Sequence, residues 1–267
     1  METTPITKVD PVALEEKVKK MYRDVALNPM GDYHFEMGRN LAEKLGYEKK
    51  DLDRIPVPSV ESFAGVGYYF DLANIQEGER VVDFGSGSGM DSFIAALKVG
   101  ANGKVTGVDM TDEQLEKAER LRKERPFRNV SFQRGYIEKT PFADASFDLA
   151  ISNGVINLSP EKEKVFAEIS RVLKPGGRMV IADIITDKKL PENITCNSTL
   201  WAACIGGASQ HDDYLTLIGA AGLKVVAVRN NDAYSFISKS AKGATKEYGV
   251  KSVSICAEKL SSKTANR

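Results

Sequence analysis

The sequence predicts an α/β fold with a mostly parallel sheet, because short runs of β-branched and apolar residues alternate with segments of helical periodicity. Parallel strands joined by helices take right-handed crossovers. Between the last two predicted strands there is only a polar stretch at 239–249, which favours a closing antiparallel strand. We therefore expect a seven-stranded sheet that contains one antiparallel strand near its C-terminal end. The predicted strands are 81–84, 104–108, 130–133, 147–153, 178–183, 224–228 and 251–256.

The N-terminal part is predicted to be helical and to precede the sheet. After a frayed terminus, residues 12–46 show the periodicity of a helical segment that ends at Gly46. The charged, proline-containing stretch 51–58 is typical of a connection. Residues 62–70 combine glycines with aromatic residues, which suits either a packing segment over the sheet edge or a lid over a bound cofactor.

A glycine-rich turn at residues 85–89 organises the chain. It follows the first predicted strand and precedes a helical run at 93–97. The backbone of such a turn can approach a ligand closely, and the helix behind it offers unpaired N–H groups. Asp109 ends the second strand, about twenty residues after the turn, where a carboxylate can hold ribose hydroxyls. The layout is typical of nucleotide binding.

The glycine spacing and the nearby charges distinguish the ligand. The dinucleotide fingerprint is G-x-G-x-x-G, whereas Gly85, Gly87 and Gly89 give G-x-G-x-G. Asp83 precedes the turn and Asp91 follows it, and these acids favour a cationic ligand over a diphosphate. S-adenosylmethionine carries an amino group, a positive charge and a ribose. We therefore predict S-adenosylmethionine as the cofactor and disfavour a nicotinamide dinucleotide.

The pattern divides the chain into three regions. We assign residues 1–77 to an N-terminal helical or lid segment and 78–188 to the cofactor-binding core. Residues 189–267 form the acceptor side and the closing strands of the same sheet. Within the core, a capping-box pattern at 111–114 predicts the start of a helix. The carboxyl end of strand 147–153 lies where ligands bind in open parallel sheets.

Two further helices are predicted beyond the fourth strand. Ser159 and Pro160 mark the start of the first, with serine as the N-cap and proline in the first turn. The Lys-Pro-Gly-Gly run at 174–177 ends it. The second helix covers 212–221, after an apolar, glycine-containing segment at 199–208.

The composition is that of a globular protein with a sizeable core. The chain has 267 residues, of which 42% are hydrophobic and 28% charged. Lys plus Arg and Asp plus Glu are both 37, and this zero formal charge argues against nucleic-acid binding. No apolar run has the length of a membrane span, and no signal peptide is recognisable at the start. Three cysteines without CxxC spacing predict a cytoplasmic protein and no metal site.

The assembled motifs resemble those of the Rossmann-like class I S-adenosylmethionine-dependent methyltransferases. The stretches that carry this resemblance are 81–91, 107–110, 147–153 and 173–177. The rest of the chain narrows the resemblance to the arsenite methyltransferases and extends it nearly from end to end. The stretches similar to that family are 35–47, 62–67, 152–158 and 200–207.

The resemblance implies a cofactor site and a small-molecule methyl acceptor as the reaction partner. Asp109 would hold the ribose hydroxyls, and Asn153 would lie near the methionine end and the transferred methyl group. The residues implied to approach the methionine part are Asp83, Gly85, Ser86, Gly87 and Gly89. The residues implied to pack on or flank the adenine are Met110, Tyr136 and Ile137.

The sequence departs from this family at the acceptor site. Arsenite methyltransferases bind trivalent arsenic with cysteine thiolates from three segments. Cys204 stands at one of these positions, whereas the other two carry Val66 and Gly154. Cys196 cannot replace them, because in a helix eight residues separate it from Cys204 by about 12 Å of rise. A three-thiolate arsenic cage is therefore not expected, and Cys256 is expected to be a buried strand residue.

The acceptor and its activation stay open on the sequence alone. A soft acceptor needs no general base, whereas a hydroxyl or carbon acceptor does. The candidate catalytic residues are Asn153, Tyr69 and His211, with His34 as another candidate base. The residues assigned to the acceptor are Tyr68, Tyr69, Trp201 and Cys204. We expect methylation of a small molecule on an arsenite-methyltransferase-like scaffold. The alternatives are arsenite or organoarsenical methylation with a reduced thiol site, and cofactor binding without catalysis.

Overall fold

The computed structural model describes residues 9–125, 127–197, 200–201 and 205–261. Its strands are β1 (Arg80–Phe84), β2 (Lys104–Asp109), β3 (Val130–Arg134), β4 (Phe147–Asn153), β5 (Leu173–Thr186), β6 (Ser209–Gln210), β7 (Leu223–Asn230) and β8 (Lys251–Lys259). Seven of them follow the order β3-β2-β1-β4-β5-β8-β7, and the short β6 pairs with the end of β5. Only β8 runs antiparallel to its neighbours, β5 and β7. The predicted α/β fold, with its mostly parallel sheet and its antiparallel strand, is confirmed.

Helices cover both faces of the sheet, so the central strands are buried on two sides. The helices are α1 (Pro11–Leu27), α2 (Gly38–Leu45), α3 (Lys49–Leu52), α4 (Val57–Glu61), α5 (Phe70–Ala73), α6 (Met90–Val99), α7 (Asp112–Glu124), α8 (Lys162–Val172), α9 (Glu192–Thr195), α10 (His211–Ala220) and α11 (Lys239–Tyr248). A 3₁₀ turn occupies Ile156–Leu158. Alternate residues of β1 enter different apolar clusters: Val81 joins the cluster of α1, α2 and α6, and Val82 joins that of α8 and α10.

The N-terminal helical prediction is wrong in its continuity. Residues 12–46 form α1 and α2, separated by a non-helical connection, because Pro29 disfavours helical backbone at Asn28, where α1 ends. Gly46 ends α2 in the left-handed conformation, as expected. The predicted connection 51–58 overlaps the end of α3 and the start of α4.

A helix also lies where only a polar stretch was recognised, between β7 and β8. The side chain of Ser238 caps the start of α11 by accepting a hydrogen bond from the backbone N–H of Ala241 at 3.2 Å. Gly249 ends it with φ +68°. The two capping residues indicate this helix in the sequence, whereas its polar composition does not. Among the described residues, no helix combines the length and apolarity needed to cross a bilayer.

The strand order places a crevice at the carboxyl end of the sheet. β1 lies between β2 and β4. The chain runs outward from β1 to β2 and β3 and then crosses back to β4 on the other side of β1, so the strand order reverses there. Ligands bind at such a switch point in open parallel sheets. The glycine-rich turn after β1 and the end of β4 both lie there.

We expect Phe166→Ala to lower the free energy of unfolding by about 3–5 kcal/mol. Phe166 is fully buried on α8, and its ring centroid lies 5.2 Å from that of Tyr214. Chemical denaturation followed by circular dichroism measures the change. Val226→Ala is the control, since Val226 is exposed on the outer strand β7 and should change stability by less than about 0.5 kcal/mol. Equal losses for the two variants would contradict the assigned core.

Candidate active site

A cavity of about 660 Å³ lies at this crevice. Small-molecule sites enclose about 300–1,000 Å³. The predicted cofactor residues that line the cavity are Asp83, Gly85, Ser86, Gly87, Asp109, Met110, Tyr136, Ile137 and Asn153. The tenth predicted residue, Gly89, is not in the wall. The structure therefore brings almost the whole predicted cofactor set to one place.

The glycine turn has the conformation that its sequence predicts. Gly85 has φ +75°, and a Cβ built on it would lie 2.5 Å from the side chain of Val155. Gly89 begins α6 with φ +90°, and a Cβ there would lie 2.6 Å from the ring of Phe132. Gly85 thus lets the turn pass close to the end of β4, and Gly89 lets α6 pack on the sheet.

Asp109 is held by backbone donors at the end of β2. The N–H of Gly87 donates to Oδ2 and the N–H of Thr111 donates to Oδ1, both at 2.9 Å. Burial raises the pKa of Asp109, and these two donors oppose that shift. Hydrogen bonds from the side chain of Thr111 and the backbone of Met110 act in the same direction. The geometry suits the predicted ribose contact.

Two further carboxylates are buried beside the turn. Asp83 is 3% exposed and Asp91 is 6% exposed. Burial raises the pKa of Asp83 to about 8, and the charges of Asp91 and Asp109 add to this rise, whereas the hydroxyl of Ser92, which donates to Asp83 at 2.6 Å, opposes it. Burial also raises the pKa of Asp91. A cluster of buried acids with neutral donors favours a cationic ligand.

Asn153 is fixed by hydrogen bonds on both sides of its amide. Its Oδ1 accepts from the N–H of Val66 at 2.8 Å, and its Nδ2 donates to Asp91 Oδ2 at 3.0 Å. The hydroxyls of Tyr47 and Tyr69 also donate to Asp91, at 2.7 and 2.8 Å. Tyr47 was not predicted as a site residue, although it ends the stretch 35–47 that carries part of the family resemblance. It follows α2, and its ring reaches Asp91 from among the rings of Phe63, Tyr68 and Phe70.

The hydroxyl of Ser86 is an unsatisfied polar group in the wall of the cavity. Its Oγ is buried and has no hydrogen-bond partner among the residues that the structure describes. Buried polar atoms are nearly always hydrogen-bonded, so a polar group of a ligand is expected there. Together with the acid cluster and the carboxylate of Asp109 in the cavity wall, this fits a cationic nucleoside such as S-adenosylmethionine.

The segment 62–70 divides between the two roles that its sequence allowed. Its first part, from Ser62 to Gly65, lines the cavity. Its second part is tied to β8, since Ser252 donates to the carbonyl of Val66 at 2.7 Å and Ser254 donates to that of Tyr68 at 3.3 Å. The second part is therefore a packing segment over the sheet.

The cover of the cavity is α1, which belongs to the predicted helical or lid segment 1–77, although the sequence pointed to 62–70 and not to α1 itself as the lid. Its residues in the wall are Pro11, Leu14, Glu15, Val18 and Tyr22. Near its start, Glu15 accepts from the hydroxyl of Tyr136 at 2.8 Å. Near its end, Gln114 donates to the carbonyl of Tyr22 at 2.8 Å and accepts from Ser88. The predicted helix start is confirmed, with Thr111 as the N-cap of α7, but the side-chain bonds of a capping box are wrong: Gln114 holds α1, and Thr111 makes no side-chain cap.

Several residues assigned to catalysis or to the acceptor lie outside the cavity wall. Tyr69 is fully buried, and burial together with Asp91 raises its pKa, which makes it a poor base. Tyr68 packs against Tyr47, and burial raises the pKa of Tyr68 to about 12. His211 begins α10 beside Asp212.

The remaining acceptor-side assignments lie behind the wall or outside the described residues. Trp201 is 7% exposed and donates from its indole to the carbonyl of Thr195 at 2.6 Å, so it is packed and not in the wall. Cys204 lies outside the described residues. Cys256 is buried in β8, as expected. Among the described residues, no group of His, Cys, Asp and Glu side chains could hold a metal ion.

Comparison with known proteins gives a family match over the core. A family model described as a methyltransferase domain matches residues 75–222. The arsenite methyltransferase of Halobacterium salinarum is 35% identical over 250 residues, which are 88% of this chain and 64% of that protein. The arsenite methyltransferase of Aquipseudomonas alcaligenes is 46% identical over 149 residues, which are 52% of this chain and 42% of that protein. The chain thus spans between 42% and 64% of the length of these two relatives.

A solved structure shows the same arrangement. The arsenic(III) S-adenosylmethionine methyltransferase from Chlamydomonas reinhardtii matches with a TM-score of 0.67 and 34% identity, over 79% of this chain and 72% of that one. The fold, the glycine turn and the family match define the class: the chain belongs to the methyltransferase domain family of class I S-adenosylmethionine-dependent enzymes. Within that class it resembles the arsenite methyltransferases, and S-adenosylmethionine is its cofactor. The predicted family and cofactor are confirmed.

We expect Asp109→Asn to weaken binding of S-adenosylhomocysteine by roughly 10- to 150-fold, because a hydrogen bond to a charged group contributes about 1.5–3 kcal/mol. Isothermal titration calorimetry measures the affinity. Asp112→Asn is the matched control, since Asp112 is exposed at the start of α7 and pairs with Arg134. Its affinity should stay within about twofold of the wild type. Unchanged binding by Asp109→Asn would contradict the ribose assignment.

We also expect the affinity for S-adenosylhomocysteine to rise with pH up to about 8. The raised pKa of Asp83, about 8, means that this acid is mostly protonated at neutral pH. A ligand ammonium group favours the ionised acid, so binding below pH 8 releases a proton and weakens by up to roughly tenfold per pH unit. Calorimetry between pH 6 and 9 tests this, with Asp83→Asn expected to lose most of the dependence. A flat profile in the wild type would refute it.

Proposed function

We propose that this protein transfers the methyl group of S-adenosylmethionine to a small, apolar acceptor, and that this acceptor is not arsenic held by three thiolates. The observation that carries the proposal is the character of the cavity wall. Away from the buried carboxylates, much of the wall is apolar, with contributions from Leu14, Val18, Phe63, Val155 and Leu158. Apolar walls favour a ligand with an apolar body.

The chain's own residues would bind the cofactor, orient the acceptor and exclude water. S-adenosylmethionine, when bound, supplies an electrophilic methyl group on a sulfonium sulfur. Asp83 and the turn would take its methionine part, Asp109 its ribose, and Met110 its adenine. Asn153 would define one wall beside the methionine part, because its amide is fixed by the hydrogen bonds described above. α1 would cover the cavity, and alignment of the acceptor with the methyl group under this cover would provide most of the rate enhancement.

Apart from Asp83 and Asp91, which are assigned to the cofactor, the described residues of the wall include no poised general base. Of the described residues, neither His34 nor His211 lines the cavity. The carboxylate of Glu15 is engaged by Lys19 and Tyr136, which lower its pKa. Glu138 accepts a hydrogen bond from the hydroxyl of Ser159 at 2.5 Å. This arrangement supports an acceptor with a lone pair that is available without prior removal of a proton, such as a soft sulfur or selenium centre.

The positions that carry valine and glycine in place of cysteine are adjacent. A Cβ built on Gly154 would lie 3.1 Å from Cγ1 of Val66. Val66 is 2% exposed, and neither residue is in the cavity wall. Both positions are thus occupied by packing, which supports an acceptor that is not bound through these thiolates.

The alternative function is methylation of arsenite or an organoarsenical. It is favoured by the resemblance to relatives that are named arsenite methyltransferases and by the presence of Cys204. In this reading a single thiolate would take part in binding the acceptor, and a soluble thiol would complete the arsenic coordination.

We expect radiolabel from [methyl-¹⁴C]S-adenosylmethionine to enter an apolar small-molecule fraction and not arsenite. Wild-type protein is incubated with arsenite plus a thiol reductant and, in parallel, with metabolite fractions separated by polarity. Asp109→Asn, which should bind cofactor weakly, gives the background for both. Methylated arsenic that is formed by the wild type and lost in Cys204→Ser would overturn the proposal in favour of the alternative.

A further inference from the structure

One buried cation lies directly behind the cavity wall. Lys162 is 7% exposed at the start of α8, and its Nζ donates to the carbonyl oxygens of Ser159 at 2.8 Å and Asn157 at 3.2 Å. These carbonyls belong to the 3₁₀ turn and the residue that follows it. Leu158 and Ser159 line the cavity. The ammonium group therefore holds a piece of the wall from the side that faces away from the ligand.

The same ammonium group also contacts Trp201. Nζ lies 4.8 Å from the centroid of the indole ring, within the range of a cation–π interaction. Gly207 lies against both the turn and the indole: a Cβ built on Gly207 would lie 1.8 Å from the carbonyl oxygen of Asn157 and 2.7 Å from Cε3 of Trp201. Only glycine allows this approach. Lys162 thus contacts both sides of the junction between Trp201 and the turn at Ile156–Leu158.

The surrounding negative charges favour the charged form of this ammonium group. Burial lowers the pKa of Lys162 to about 8, and the negative charges of Asp183 and Glu138 oppose that shift. Asp183 is 1% exposed at the end of β5 and accepts hydrogen bonds from the hydroxyl of Tyr214 at 2.5 Å and the N–H of Ile184 at 2.8 Å. A neutral side chain at position 162 would leave two carbonyls without their donor and Asp183 without its compensating charge.

We propose that Lys162 is a positioning residue: it clamps Trp201, together with the neighbouring Gly207, to the turn at Ile156–Leu158 and so fixes the wall that the acceptor meets. That this wall faces the acceptor rests on the proposed function, whereas the clamp can be measured without any turnover. Lys162 touches neither the cavity nor its contents in this arrangement. It acts through Leu158 and Ser159.

Fluorescence reports on the clamp directly, because Trp201 is the single tryptophan of the chain. We expect Lys162→Met to shift the emission maximum and to raise acrylamide quenching about twofold, since the indole of Trp201 loses its contact with the ammonium group. Lys162→Arg keeps the charge and should restore most of the wild-type signal. Calorimetry should show S-adenosylhomocysteine affinity within about twofold of the wild type for both variants.

A second pair of variants tests the junction from its other side. Gly207→Ala should raise quenching as Lys162→Met does, because the added methyl group displaces the carbonyl of Asn157. Gly219→Ala is its matched control, since a Cβ there has no neighbouring atom within 4 Å. Lys224→Met, at an exposed position of β7, is the control for loss of a lysine. Gly207→Ala keeps the test decisive if Lys162→Met does not fold.

Two results would overturn the proposal. One is wild-type emission and quenching in both Lys162→Met and Gly207→Ala. The other is a parallel loss of S-adenosylhomocysteine affinity and unfolding midpoint in these variants, which would make Lys162 a support of the whole fold and not of one wall. Absence of methyl transfer by the wild type would instead overturn the proposed function and leave the fluorescence result intact.

Discussion

The burial of three acidic side chains beside the glycine turn is the constraint on which the site depends. Asp83, Asp91 and Asp109 lie in one low-dielectric crevice, where burial disfavours ionisation. Their donors are hydroxyls, an amide and backbone N–H groups, none of which carries charge. Such a cluster is stabilised when a cation enters it. The cationic end of the cofactor therefore completes the electrostatics of the fold as well as the chemistry of the site.

The N-terminal part of the chain is assembled around this cluster. Tyr47 and Tyr69 donate to Asp91, and Asn153 joins the same carboxylate to the backbone of Val66. On the opposite side, serines of the antiparallel strand β8 hold the carbonyls of the segment that contains Val66. The closing strand thus supports the cofactor site, and Val66 is buried in this packing.

Local patterns explain why so much of this arrangement could be predicted. The glycine turn, the acid at the end of β2 and the seven main strands depend on short-range rules of periodicity and turn chemistry, and the structure confirms their positions. The errors have local causes too. A proline that follows Asn28 breaks the first helix, and caps at Ser238 and Gly249 define a helix in a polar stretch.

The amino-acid sequence by itself determined the fold class, the family and the identity of the cofactor, because these follow from residues that are close together along the chain. Only the tertiary structure decided what covers the cavity, that Tyr47 reaches Asp91 across 44 positions, and that Lys162 meets Trp201 behind the wall. These contacts join segments whose own patterns fit many partners. Helix and strand packing selects one partner for each, and no local signal records that choice.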